Sequence, residues 1–141
     1  MDGIRVKGGV RFDPRTVGRS EFWRMSEAVQ AVAPPDYYAT ITSGCDGRHK
    51  TDSKHYLGWA KDYRVRDFPG VVFIKKTRVG DSKGKKFWEC TEGLSVLLSW
   101  VARIQKRLGN LYFVDLEIKK VHIHIQYNGG QLWGSDQTRN T

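Results

Sequence analysis

Apolar positions along the chain fall into periodic segments separated by Gly, Pro and polar clusters. Phe22, Met25, Ala28, Val29 and Val32 recur at helical spacing, with Ser20 in the N-cap position and Pro34-Pro35 as the stop. Tyr37–Ser43 alternates with β-formers and predicts a strand; Gly44–Ser53 is polar and reads as a loop. Strand character returns over Trp59–Val65. Within residues 66–91, the run Val71–Ile74, the turn Gly80–Gly84 and Phe87-Trp88 predict a hairpin. Leu94, Val96, Leu97, Trp100, Val101, Ile104 and Leu108 describe an amphipathic helix ended by Gly109-Asn110. Two closing strands are expected, Leu111–Leu116 and Val121–Tyr127. The sum is an α+β domain with a mainly antiparallel sheet: residues 1–18 an extended arm, 19–128 the domain, 129–141 a polar tail.

A chain of 141 residues suits one domain, and its apolar and aromatic content is enough for one core. No apolar run approaches the ~20 residues of a membrane span. The segment MDGIRVKGGVRFD lacks the apolar stretch of a secretory signal, so a soluble protein made in the cytoplasm is expected. The formal charge of +9 serves either solubility or an anionic partner such as nucleic acid, a membrane surface or a cell-wall polymer. No compact basic helix or nucleic-acid motif collects the cations, so charge alone selects no partner. Cys45 and Cys90 are expected to be free structural thiols.

The chemistry lies in the histidines. All four fall in two short segments, His49 and His55, then His122 and His124. In Val121-His122-Ile123-His124-Ile125 the alternation puts both imidazoles on one strand face and the isoleucines on the other. The segment from Ser53 to Asp62 reads as a turn entering a strand, which brings His55 and Asp62 to one point. Zinc at catalytic sites commonly takes three His or carboxylate ligands with water in the fourth position. His55, Asp62 and one of His122 and His124 meet that count. The competing expectation for Asp62 is an ion pair with Lys61, Arg64 or Arg66.

Ser53-x-His55-x-x-Gly58-x-Ala60-x-Asp62, followed by His122-x-His124, resembles the zinc D-alanyl-D-alanine carboxypeptidase and endopeptidase superfamily, whose fold is shared by the hedgehog signalling domain. Thr42-Ser43-Gly44, His49 and the stretch from Ser53 to Arg64 look most like small phage-encoded peptidase-like proteins. The resemblance covers about residues 37–65 and 94–127. It implies a hedgehog/DD-peptidase-like fold with helices packed on one side of the sheet. It also implies zinc held by His55, Asp62 and His124, with His122 and His49 lining the substrate side. Ser53 belongs with them, fixing the loop rather than acting as a nucleophile.

The family places a catalytic glutamate shortly before His-x-His, and Glu117 is the glutamate in that neighbourhood. Four residues separate it from His122, and strand parity would put the two on opposite faces unless a turn or bulge intervenes. Lys119-Lys120 could sit in such a turn; Asp115 is a lesser substitute. The function implied is a zinc metallopeptidase, carboxypeptidase-like or endopeptidase, acting on peptidoglycan stem peptides in phage or bacterial wall lysis. It would be a monomer, beside anionic wall polymers, reaching the wall after release or from a virion. The alternative is a zinc-binding recognition domain on the same fold; a DNA-associated role rests on charge alone.

Overall fold

A computed structural model describes residues 3–46, 55 and 58–129. The chain order is β1 (Arg5–Val6), α1 (Ser20–Ala31), β2 (Thr40–Ser43), β3 (Ala60–Arg64), β4 (Val72–Thr77), β5 (Lys86–Glu92), α2 (Leu94–Leu108), β6 (Tyr112–Glu117), a 3-10 turn (Ile118–Lys120) and β7 (His122–Tyr127). A five-stranded sheet runs β1-β2-β3-β7-β6, and β4 with β5 forms a separate two-stranded hairpin. Every pairing is antiparallel except β1 with β2. This is a single small α+β domain, as the periodicity predicts.

The helices follow from their apolar spacing. On α1 the buried positions are Phe22, Met25, Ser26, Ala28 and Val29, one face of a 3.6-residue period. Arg19, not Ser20, holds the N-cap position, and the Ser20 hydroxyl turns to Glu21 instead of capping the helix. On α2 only Leu97, Trp100, Ile104 and Leu108 are buried, a narrower stripe than the sequence suggests, and Leu94 and Val96 are exposed. A salt bridge from Arg107 to Glu27 ties the two helices together.

Both helices pack on one face of the sheet. Tyr63, Ile123 and Ile125 point to that side and are fully buried in the core. Lys61 is buried there as well, at 0% exposure; its Nζ donates to the Phe22 carbonyl (2.6 Å) and the Ser26 hydroxyl (2.9 Å). The ammonium sits 4.0 Å from the centre of the Phe22 ring and 4.5 Å from that of Trp23. Burial draws its pKa well below the usual lysine value. The competing expectation of an ion pair between Asp62 and Lys61 is overturned: the two residues face opposite sides of β3.

Residues 3–18, expected as an extended arm, are built into the fold. β1 adds to the sheet edge, Asp13 and Thr16 are buried, and Phe12 packs edge-on against Phe22 and Trp23. Among the described residues, no helix is long and apolar enough to cross a membrane.

Candidate metal centre

The sheet face away from the helices carries the polar chemistry, laid out by cross-strand register. One row across β3, β7 and β6 is Ala60, Gln126 and Phe113; the next is Asp62, His124 and Asp115; the third is Arg64, His122 and Glu117. Residues opposite one another in a ladder share a face, so each row points to the same side. Ser43 of β2 stands opposite Asp62, across a register shift between Ile41 and Ser43.

Glu117 reaches this face because of the 3-10 turn. Val121, at its end, adopts a left-handed conformation (φ 51°, ψ 41°), and its N–H donates to the Ile118 carbonyl at 3.0 Å. The turn absorbs the four intervening residues and leaves Glu117 directly opposite His122. The parity conflict in the sequence is resolved by the kind of turn it required, with Lys119 and Lys120 inside it. A β-branched residue with positive φ is strained by roughly 1–2 kcal/mol, so the surrounding ladder must hold it.

His55 is brought in by the loop before β3. Its Nδ1–H donates to the Gly44 carbonyl at 2.6 Å, and its Nε2 lies 3.3 Å from Asp62 Oδ1. Gly44 lies against the Arg11 carbonyl, where an added Cβ would come within 2.2 Å. Gly58 has φ +82°, its N–H donates to the His55 carbonyl, and its own carbonyl accepts from Thr16 Oγ1 at 2.7 Å. A Cβ there would meet Asp13 Cβ at 2.6 Å, so only glycine lets the segment dock.

Three atoms converge: His55 Nε2 and His124 Nδ1 are 3.1 Å apart, His124 Nδ1 and Asp62 Oδ1 3.2 Å, and His55 Nε2 and Asp62 Oδ1 3.3 Å. Their outer bonds set which atoms carry lone pairs. His55 uses its Nδ1–H on Gly44, which makes Nε2 its acceptor nitrogen. His124 Nε2–H donates to Gln126 Oε1 at 2.8 Å, and the Gln126 amide is oriented by donating to Asn128 Oδ1. In the tautomers in which both outer N–H groups donate, three lone pairs face one another, an arrangement that suits a cation between them. A tetrahedral ion with 2.0–2.1 Å bonds spaces its ligand atoms by about 3.3 Å, close to all three edges of this triangle. The outer bonds to Gly44 and Gln126 are those that orient metal-binding imidazoles. His55, Asp62 and His124 could hold a metal ion, and they fit one.

A proton can occupy the same place. Burial favours a neutral His124, but the bonds to Asp62 and Gln126 outweigh it and its pKa is raised. Burial would likewise raise that of Asp62, yet the bonds from His124 and His55 hold its carboxyl far below the usual range.

His122, on the same face, turns away from the triangle. Its Nε2–H donates to Glu117 Oε1 at 2.6 Å, while Asp62 Oδ1 is 3.8 Å away. Lys120 Nζ is 3.9 Å from the other Glu117 oxygen. Ligand atoms of Asp62, Glu117 and His122 all lie within 4.8 Å of one another, so Glu117 stands beside the triangle. His122, expected against substrate, is thus first a partner of Glu117. Asp115 shares the row of His124 but is exposed. His49 and Ser53 lie outside the described residues. Gln126 and Thr16 were missed by sequence reasoning, and Gly44 was noted without its role as the His55 partner; the period-two spacing of His122, His124 and Gln126 was the available signal for the first.

No family model, curated protein or solved structure matches this chain.

Proposed function

We propose that the chain is a zinc-dependent peptidase of the hedgehog/DD-peptidase kind, cutting peptide bonds of peptidoglycan stem peptides. The observation that carries this reading is the triangle of acceptor atoms at 3.1–3.3 Å with a carboxylate, Glu117, beside it. The resemblance of the Ser53–Asp62 segment and His122-x-His124 to that superfamily supports it. His55, Asp62 and His124 would hold the zinc. Bound there, the ion would polarise the scissile carbonyl and lower the pKa of a water molecule.

The chain's own groups do the rest. Glu117 accepts the proton of the attacking water and returns it to the leaving amine, the role of a positioned carboxylate. His122 holds the Glu117 carboxylate in one orientation through the 2.6 Å bond. Asp62, whose carboxyl is held far below the usual range, brings a negative charge to the triangle. The protein reaches the wall after release or from a virion, beside anionic wall polymers, and acts as a monomer.

The test uses purified protein with one equivalent of zinc, incubated with peptidoglycan and a panel of soluble stem peptides. Fragments should be released, and Glu117→Gln should abolish release while retaining metal. Zinc binding without cleavage of any substrate would instead favour a recognition domain. That second reading draws on the same hydrogen bond, since His122 engages the Glu117 oxygen that catalysis would use.

A further inference from the structure

Arg64 ends β3 on the face of the sheet that carries the metal centre, yet it belongs neither to the triangle nor to the bond that holds Glu117. Antiparallel register sets it opposite His122, whose other neighbour is Glu117, so the three residues form one row across the sheet. Its main chain is anchored there. The Arg64 carbonyl accepts from Tyr37 Oη at 3.3 Å, and the next N–H, that of Val65, donates to the Val121 carbonyl at 2.9 Å.

The nearby carboxylates are all engaged elsewhere. Asp62 lies two residues earlier on the same face, and its Oδ1 meets His55 and His124 at 3.3 and 3.2 Å. Glu117 is held by His122, with Lys120 3.9 Å away on its other oxygen, and Asp67 accepts from Tyr37 Oη at 3.0 Å. Among the described residues no ion pair joins Arg64 to a carboxylate. A half-buried guanidinium in this state has a planar fork of donors suited to a carboxylate from outside the chain.

The geometry selects which carboxylate. Neighbouring strands are about 4.8 Å apart, so the Arg64 and Glu117 backbones stand roughly 10 Å apart with His122 between them. Glu117 returns its proton to the leaving nitrogen, which must therefore lie beside it. In an amino acid the carboxylate carbon is only about 2.5 Å from that nitrogen. The leaving residue's α-carboxylate thus falls over the His122 row, within reach of an arginine side chain. Where the peptide continues, the same carbon belongs to a neutral amide, and the guanidinium is covered without an ion-pair partner, which is costly.

We propose that Arg64 binds the α-carboxylate of the residue that leaves, so that the chain is a carboxypeptidase removing the last residue of a stem peptide. This rests on the peptidase reading. In the step, the final C–N bond breaks and water gives its hydroxyl to the acyl carbon. The proton taken up by Glu117 passes to the nitrogen, which departs as a free amino acid.

The test is equilibrium binding to the zinc-loaded Glu117→Gln protein, which retains substrate uncut. The probes are N-acetyl-L-lysyl-D-alanyl-D-alanine and its C-terminal amide. The acid should bind about 10–100-fold more tightly than the amide, the size expected of hydrogen bonds between charged groups. Adding Arg64→Met should bring the acid down to the level of the amide, and adding Arg64→Lys should restore only part of the difference. Adding Lys120→Met, which removes the other cation beside Glu117, should leave the preference in place.

Equal binding of acid and amide with Arg64 present overturns the proposal, and it needs no folded Arg64 variant. A preference that survives Arg64→Met, or that disappears with Lys120→Met, overturns it as well. Wild-type protein that cuts acid and amide alike would keep the peptidase reading and remove this one. An Arg64-dependent preference without any cleavage by the wild type would remove the peptidase reading and leave Arg64 as the carboxylate-binding residue.

Discussion

Glu117 and His122 are five positions apart in sequence and directly opposite each other in the sheet, their side chains joined at 2.6 Å between Oε1 and Nε2. The contact depends on the left-handed turn at Val121 and gives Glu117 a fixed direction beside the His55–Asp62–His124 triangle.

The first prediction concerns that bond. His122→Ala should lower kcat by about 10–100-fold, with zinc affinity and KM much less affected, as expected for loss of an orienting partner. His122→Asn, which can still donate to the carboxylate, should recover part of kcat. A loss of zinc in His122→Ala would show that this imidazole is a ligand after all.

The second concerns pH. Metal and proton compete for His124 Nδ1, whose pKa lies above its usual 6.5 because its bonds to Asp62 and Gln126 outweigh burial. Zinc affinity should therefore fall about tenfold per pH unit below that raised value and level off above it. Stability of the zinc-free protein should run the other way. The raised His124 contributes stability fully present below pH 6.5 and lost as pH rises through its folded pKa. The lowered Asp62 contributes stability above 3.8 that is lost as pH falls through its own folded value. Calorimetry across pH, with and without zinc, checks both signs; an affinity independent of pH below 6 would refute the competition.

A third prediction follows from the docking of the His55 loop. Gly58→Ala places a Cβ at 2.6 Å from Asp13 Cβ in a left-handed conformation. It should destabilise the protein by about 2–4 kcal/mol and weaken zinc binding, since His55 moves with this loop. Denaturant melts and zinc titrations of the variant would measure the two effects together.

Legibility in the sequence divides along local and long-range lines. The helices, the hairpin and the alternation of His122 and His124 were readable, because each depends on the spacing of nearby residues. The candidate ligand set was readable too, through the resemblance, and the structure brings His55, Asp62 and His124 together. The relation of Glu117 to His122 was not, because facing across a connection depends on the conformation of the turn and not on the count of residues in it. The burial of Lys61 was not legible: a charged residue near the start of a predicted strand gives no sign that α1 supplies a carbonyl and a hydroxyl to receive it. The burial of Asp13 and Thr16 was equally hidden, since their partners lie over forty positions downstream in the case of Thr16 and Gly58.

Lys61 provides the fourth prediction. Replacing a buried charge by an apolar side chain of similar length is often neutral or stabilising, while leaving a cavity is not. The Ser26 hydroxyl keeps its bond to Tyr63 Oη at 2.6 Å when the lysine is removed, so no orphan is created there. Lys61→Met should leave stability within about 1 kcal/mol of the wild type or raise it, and Lys61→Ala should lose about 2–4 kcal/mol. Zinc affinity should not change in either, because Lys61 points to the helices; urea melts and zinc titrations provide the check.

The most direct measurement is zinc binding itself, by titration calorimetry joined to X-ray absorption at the zinc edge. One equivalent should bind, with two imidazole nitrogens and carboxylate oxygen at about 2.0–2.1 Å in tetrahedral geometry. His124→Ala should abolish that binding, and His122→Ala should retain it. Absence of a stoichiometric zinc ion, or binding that survives His124→Ala but not His122→Ala, would contradict the assignment of His55, Asp62 and His124 as the metal centre.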